Sequence, residues 1–263
     1  MEECQRGNFN GILYSFPGGE SDLIVTSGTF KVGVERPLEA RPGPRQAGKK
    51  ADGEDALRSM RRARAQLRRL ALSNEFEYFV TLTLDAARVD RYDVKAITKK
   101  LNSWADNMVR RRGLRYILVP ERHKDGAIHF HGFMAGEGLE VLESGHRDKT
   151  GAMMFNLPQW KLGFSTAIRL RGEYSRAVSY VCKYIGKQDG ERPMGRWYYS
   201  GGDLQEPPKE YLEVDYHGLV EDWLVMGPLR EGEHFPAVPF ETGCGMIWVK
   251  NGLKNGQNEQ NGG

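Results

Sequence analysis

Three cysteines in 263 residues, Cys4, Cys182 and Cys244, are too few and too scattered for a disulfide framework, and no CxxC pair offers a structural zinc site. Reduced thiols are expected. No stretch reaches the roughly 18 to 20 consecutive apolar residues of a membrane-spanning helix, and the N-terminal MEECQRGNFNG lacks the basic-then-apolar pattern of a signal peptide. No membrane partner is expected, and the compartment read from these absences is the cytoplasm. A phosphate-binding loop is missing too. Gly43 and Gly48-Lys49 imitate its first part, but Lys50 stands where a magnesium-binding Ser or Thr is required and no strand precedes the segment. With no nucleotidase motif there is no sign of a helicase motor.

What is present is a core-forming 39% of hydrophobic residues and an uneven charge distribution. The net charge is only +3, yet residues 203–242 hold ten acidic against two basic side chains, while residues 1–202 carry +10. A basic body of that size favours a polyanionic partner, and the acidic region would cover part of it or keep it in solution.

Along the chain, GILYSF, DLIVT and TFKVGV in residues 8–35 read as short strands separated by PGGES and SG. Residues 36–53, rich in Pro, Gly and Arg, read as a linker. A helix is expected over 54–72, its Arg58, Arg61, Arg62, Arg64, Arg68 and Arg69 forming mainly a solvated basic face. From residue 76 the order is strand (FEYFVTLTL), helix (DVKAITKKLNSWADNMVRRRG, ended by Gly113) and a hairpin (LRYILVPE, AIHFHGFM) turned at Lys124-Asp125-Gly126. Residues 137–160 are an excursion without a clear pattern, GFSTAIRL is a further strand, and a helix is expected over 173–188. This order implies an α+β fold, a central antiparallel β-sheet flanked by helices.

His129 and His131 lie two apart on a strand, so both imidazoles leave one face while Ile128 and Phe130 leave the other. Glu121 ends the partner strand across the hairpin. Two histidines and a carboxylate suit a divalent metal that keeps positions open for a phosphate oxygen. On the 173–188 helix, Tyr174, Val178, Val181, Cys182 and Ile185 fall on one side, and Tyr180, Lys183, Tyr184 and Lys187 on the other. The first group supplies the core, so two tyrosines one turn apart among lysines point to chemistry. A phenol with a pKa near ~10 is almost wholly protonated at neutral pH and needs help to act as a nucleophile. A metal on the scissile phosphate and a lysine beside it provide that help. Attack on phosphorus gives a phosphotyrosine ester that conserves the bond energy, so the strand can be rejoined without ATP.

Phe79-Val80-Thr81-Leu82-Thr83, His129-Phe130-His131 and Tyr180-Val181-Cys182-Lys183-Tyr184, in that order, resemble the FxTLT, H-hydrophobic-H and YxxKY motifs of the HUH endonucleases. The resemblance covers about residues 54–200, and the double tyrosine is most similar to rolling-circle replication initiators of single-stranded DNA phages and related elements. It implies a Mn²⁺ or Mg²⁺ ion held by His129, His131 and Glu121, with Tyr180 as first nucleophile, Tyr184 as second, and Lys183 at the phosphate. It also implies a bacterial host cell, a single-stranded DNA origin as substrate, and a host or separate helicase and DNA polymerase as partners. Thr81, Thr83, Lys187, Arg61 and Arg62 are candidate DNA contacts. The domain reading is a strand-rich segment and linker over 1–53, a nickase domain over 54–200, and an acidic C-terminal extension with a disordered tail over 201–263. Two alternatives stand beside it. One is a mobilisation relaxase or single-strand transposase of the same chemistry. The other is a non-catalytic single-strand binder using Trp197, Tyr198 and Tyr199 as stacking platforms.

Overall fold

The computed structural model describes residues 7–32, 53–172, 174–187, 192–215 and 244–249. The expected linker, the imitation phosphate loop and the expected disordered tail all lie outside the described residues, apart from Gly53 at the linker's end. The chain divides into two compact units, one formed by residues 49–206 and one by residues 1–48 with 207–263.

The larger unit is built on a seven-stranded sheet in the order β6-β7-β8-β3-β5-β4-β9, with every pairing antiparallel. Its centre is β3 (Tyr78–Leu84), flanked by β5 (Ile128–Ala135) and β8 (Gly163–Arg169). Outside β5 come β4 (Arg115–Arg122) and β9 (Tyr199–Gly201), and outside β8 come β7 (Met153–Asn156) and β6 (Leu142–Arg147). The patternless excursion thus contains a hairpin, β6 with β7, which extends the sheet. Its mostly exposed side chains explain why no hydrophobic period announced it.

The strict alternation of β3 decides the two faces. Tyr78, Val80, Leu82 and Leu84 are buried, and they pack with Ile97, Leu101, Ala105 and Met108 of helix α2 (Val94–Arg112) in a single core that also takes Phe130 and Trp160. Those α2 positions recur at the spacing of one helical face. Asp93 caps the helix by accepting from the backbone N–H of Lys95 and Ala96 at 2.9 and 3.1 Å. Gly113 ends it at φ 61°, where a side chain would be strained. Phe79, Thr81 and Thr83 face the other way, toward helix α3 (Tyr174–Cys182), which packs on helix α1 (Gly53–Leu72). The architecture is therefore α+β with a large antiparallel sheet flanked by helices, as the order of elements implies.

The smaller unit is a four-stranded antiparallel sheet in the order β10-β1-β2-β11. Segments from both ends of the sequence share it: β1 (Gly7–Ser15) pairs with β10 (Lys209–Leu212), and β2 (Ser21–Val32) with β11 (Cys244–Val249). DLIVT and TFKV, read as separate strands, belong to one continuous β2, and the expected SG break survives within it as an irregularity of register. Between the Gly11–Val25 and Phe9–Phe30 pairs, β2 carries residues 26–29 where β1 has Asn10 alone. The Asn10 side-chain amide makes both bonds to the Val214 backbone, at 2.7 and 2.8 Å, and so ties the irregular step to the chain beyond β10.

Leu82 is fully buried at the middle of the larger core. Leu82→Ala is expected to lower the unfolding free energy by about 2 to 5 kcal/mol in a denaturant titration. A loss under about 1 kcal/mol would contradict a close-packed centre at β3.

Candidate active site

Register creates the site. Thr83 lies opposite His129 and His129 opposite Glu121, while Thr81 lies opposite His131, so these side chains share the helix α3 face of the sheet. Thr81 Oγ1 is 3.1 Å from His131 Nδ1, and Thr83 Oγ1 is 3.2 Å from His129 Nδ1. Each ring is thus anchored on the strand side, which leaves Nε2 for the open side. His131 Nε2 lies 2.9 Å from Glu121 Oε2, and Glu121 Oε1 accepts from Lys187 Nζ at 2.7 Å. His123, from the β4–β5 turn, stacks on His129 with ring centres 5.0 Å apart. Burial holds the proton affinity of His131 and His129 below that of an ordinary histidine; the Glu121 charge opposes the shift at His131, and the His123 neighbour reinforces it at His129. Both imidazoles are therefore neutral at neutral pH. Donation from His131 to the ionised Glu121 then requires the proton on Nε2, with the Thr81 hydroxyl donating to Nδ1. A hydroxyl is both donor and acceptor, so Thr81 supports the opposite tautomer equally well.

The fit to a divalent ion can be judged from these donors. Among the described residues, no three His, Cys, Asp or Glu side chains are gathered as a ready metal cluster. His131 and Glu121 bond to each other and Lys187 holds the second carboxylate oxygen. The chemistry of the set nevertheless fits, since two neutral imidazoles and one carboxylate are suitable ligands. The 2.9 Å approach of His131 Nε2 to Glu121 Oε2 is also close to the ~3 Å that separates adjacent ligands on an octahedral ion with bonds of ~2.1 Å.

The tyrosine segment differs from the expected 173–188 helix. Helix α3 ends at Cys182, and residues 183–187 continue as tight turns in which the N–H groups of Lys183, Tyr184 and Ile185 donate to the carbonyls of Tyr180, Val181 and Cys182. Two features stop the helix. Gly186 takes φ 73°, and Arg64 of α1 donates from Nε and Nη2 to the Ile185 carbonyl at 3.0 and 2.7 Å, satisfying an acceptor that a longer helix would have used. Gly186 is also required sterically, because a Cβ there would run into the Met60 side chain. The expected division of faces survives the change of geometry. Val178, Val181 and Ile185 are buried, and Tyr180, Lys183 and Lys187 are exposed.

Tyr184 takes a position between those groups. Its ring lies flat on His131, with centres 4.0 Å apart and planes 10° apart, and its hydroxyl donates to the Tyr180 hydroxyl at 2.7 Å. Burial, then that bond and the Glu121 charge, raise its pKa above the ordinary phenol value. Tyr180 stands half exposed against the edge of Phe79. The Lys187 ammonium, already on Glu121, lies 5.1 Å from the Tyr184 ring centre. A shallow depression lined by Pro120, Glu121, Tyr184, Gly186, Lys187 and Trp197 opens beside this group.

The structure therefore brings together His129, His131, Glu121, Thr81, Thr83, Tyr180, Tyr184 and Lys187. Lys183 is exposed on the turn next to Tyr184, and Arg61 and Arg62 are exposed on α1. Arg64 and Arg68 depart from the solvated-face reading, since Arg64 holds the tyrosine turn and Arg68 is buried. The signal was available: Met60, Ala63, Leu67 and Ala71 trace the apolar stripe, and Arg64 and Arg68 sit directly beside it. Trp197 and Tyr199 are buried, the former bonding Ser59 Oγ at 3.1 Å and the latter the Met194 carbonyl at 3.3 Å, so neither offers a free stacking face.

The α+β sheet with paired histidines and paired tyrosines has a counterpart among known families. A family of replication-associated proteins, described by its ORF2 member, matches residues 77–189. That span runs from just before β3 to just past the tyrosine turn and contains all the site residues named above except those of α1 and Trp197. This similarity points to a role in replication. No curated protein and no solved structure matches the chain. No helix among the described residues is long and apolar enough to cross a membrane.

Two outcomes follow from this geometry. Burial lowers both histidine pKa values, so the unfolded chain binds these protons before the folded one. Their contribution to stability is whole above about pH 6.5 and declines as the pH falls toward the folded-state values. Proton NMR on chelator-treated protein should show His129 and His131 titrating below 6.5; midpoints at or above that value would contradict the buried, neutral pair. Arg64→Ala should cost about 1 to 3 kcal/mol and accelerate amide exchange over residues 183–187 more than elsewhere. Unchanged exchange there would show that α1 does not hold the turn.

Proposed function

We propose that this protein is a site-specific nicking and joining endonuclease of the HUH type that initiates rolling-circle DNA replication through a 5′-phosphotyrosine intermediate. The observation that carries the reading is the stack of Tyr184 on His131 with its hydroxyl on Tyr180, which sets two candidate nucleophiles beside a two-histidine, one-carboxylate donor set. The similarity of residues 77–189 to replication-associated proteins supports the biological setting.

In this reading His129, His131 and Glu121 hold a Mn²⁺ or Mg²⁺ ion, which when bound supplies Lewis-acid polarisation of the scissile phosphate. Thr81 and Thr83 keep the two rings aimed. Tyr180, the more exposed phenol, attacks phosphorus; its oxygen gains the phosphorus bond and gives up its proton. The bond from phosphorus to the 3′ oxygen breaks, and that oxygen takes a proton and leaves as a 3′-hydroxyl for a polymerase. Tyr184 serves the next transfer, and a hydroxyl pair at 2.7 Å suits such an exchange because both oxygens approach one phosphate. Lys183 and Lys187 offer positive charge to that phosphate. The substrate is single-stranded DNA at an origin, and a separate helicase and a DNA polymerase complete the process in the cytoplasm of a bacterial host.

The test uses single-stranded oligonucleotides tiled across the replicon that carries the gene, incubated with the protein and Mn²⁺ or Mg²⁺ and resolved on a denaturing gel. A covalent protein–DNA band is expected for wild type. It should be lost by chelation, by His129→Ala with His131→Ala, and by Tyr180→Phe with Tyr184→Phe, the last lowering the yield at least a hundredfold (about 2.7 kcal/mol). An undiminished band in the double tyrosine variant would refute the nucleophile assignment.

A further inference from the structure

The row of the sheet that carries the candidate site does not end at Thr83. On the far side of β3, Thr83 lies opposite Phe164 of β8, so Phe164, Thr83, His129 and Glu121 form one line across four neighbouring strands on the same face. Phe164 is 70% exposed, the most exposed of the large apolar side chains among the described residues. At the usual ~4.8 Å between strands its Cα lies about 10 Å from that of His129. Its neighbours on β8 show what the position normally holds: Ser165 and Ala167 turn to the opposite face, where Ala167 joins the α2 core, while Thr166, two along on the Phe164 face, is polar. A solvated strand face with a threonine at one position has no packing need for a phenylalanine at the next. Helix α3 shields this face over Phe79 and Phe133, but it does not extend over the Phe164 end.

Resting on the reading above, we infer that Phe164 is a stacking platform for a base of the single-stranded DNA next to the scissile phosphate. The argument for this occupant is continuity. A strand whose phosphate lies over the His129–Glu121 end of the row has its neighbouring nucleotide over β3 and β8. An aromatic face at that place receives a base without selecting which one, since every base has a π-face. The polar and cationic groups at one end of the row, Thr83, His129 and Lys187, take the backbone, and the aromatic end takes the base. Phe164 therefore adds affinity and fixes the strand's path, while sequence choice must come from elsewhere. Because the ring belongs neither to the buried core nor to the partly buried residues packed on it, its removal leaves the fold intact.

The experiment is fluorescence anisotropy with labelled oligo(dT) and oligo(dA), in a Tyr180→Phe/Tyr184→Phe parent that cannot form a covalent link. Phe164→Ala is expected to weaken binding of both probes about 5- to 100-fold, and Phe164→Trp to restore it, with melting temperature unchanged in both. With 5-iododeoxyuridine in the probe, light-induced crosslinking should map to the peptide carrying Phe164. Affinity for Phe164→Ala within twofold of the parent overturns the inference while leaving the nicking reading in place. So does an equal loss in Phe164→Trp, which would exclude stacking. Failure of the parent itself to bind either probe overturns both readings.

Discussion

The hydrogen bonds from Thr81 to His131 and from Thr83 to His129, at 3.1 and 3.2 Å, join the fold to its chemistry. They exist only in one register of β3 against β5, and a slip of one residue would turn all four side chains into the α2 core and expose Leu82 and Phe130. Burial of the alternate residues enforces that register. The core thus stabilises the fold and aims both imidazoles at once. The threonine hydroxyls add a second property, since they accept or donate as needed and so tolerate His131 bonded to Glu121 or to a metal ion.

Everything on the open side of the histidines is arranged from the helices. The α1 arginine Arg64 and the contact of Met60 with Gly186 hold the turn that follows α3, and that turn delivers Tyr184 onto His131 and Lys187 onto Glu121. The family similarity begins at residue 77, after α1 has ended, so the support for the tyrosine turn comes from outside the matched span. Glu121 is the point where the two halves meet, binding His131 through one oxygen and Lys187 through the other. A cation entering among His129, His131 and Glu121 competes with the Lys187 ammonium for the same carboxylate.

Much of this was legible in the sequence because it depends on short periods. The two-residue spacing of the histidines, the alternation in FVTLTL and the Gly113 helix stop are local signals, and each has its place in the structure. The division of α3 and its turn into a buried Val178, Val181, Ile185 side and an exposed Tyr180, Lys183, Lys187 side was likewise readable from helical spacing. What was not legible depends on distant partners. The helix stops at Cys182 because Arg64, more than a hundred residues earlier, binds the Ile185 carbonyl. The β6–β7 hairpin has too few buried residues to leave a pattern, and the sharing of one sheet by β1, β2, β10 and β11 joins segments separated by most of the chain. Phe164 was visible only as one apolar residue in a strand until register set it in line with His129.

The central claim is that the face formed by Tyr180, Tyr184 and the paired histidines performs covalent chemistry on DNA. The most direct measurement is mass spectrometry of the protein after reaction with single-stranded DNA and Mn²⁺, followed by nuclease trimming and peptide mapping. The account predicts a nucleotide linked through a phosphodiester to the phenolic oxygen of Tyr180 or Tyr184, with no other residue modified. A nucleotide carried on any other side chain, or cleaved DNA with no residue modified at any time in the reaction, would contradict it.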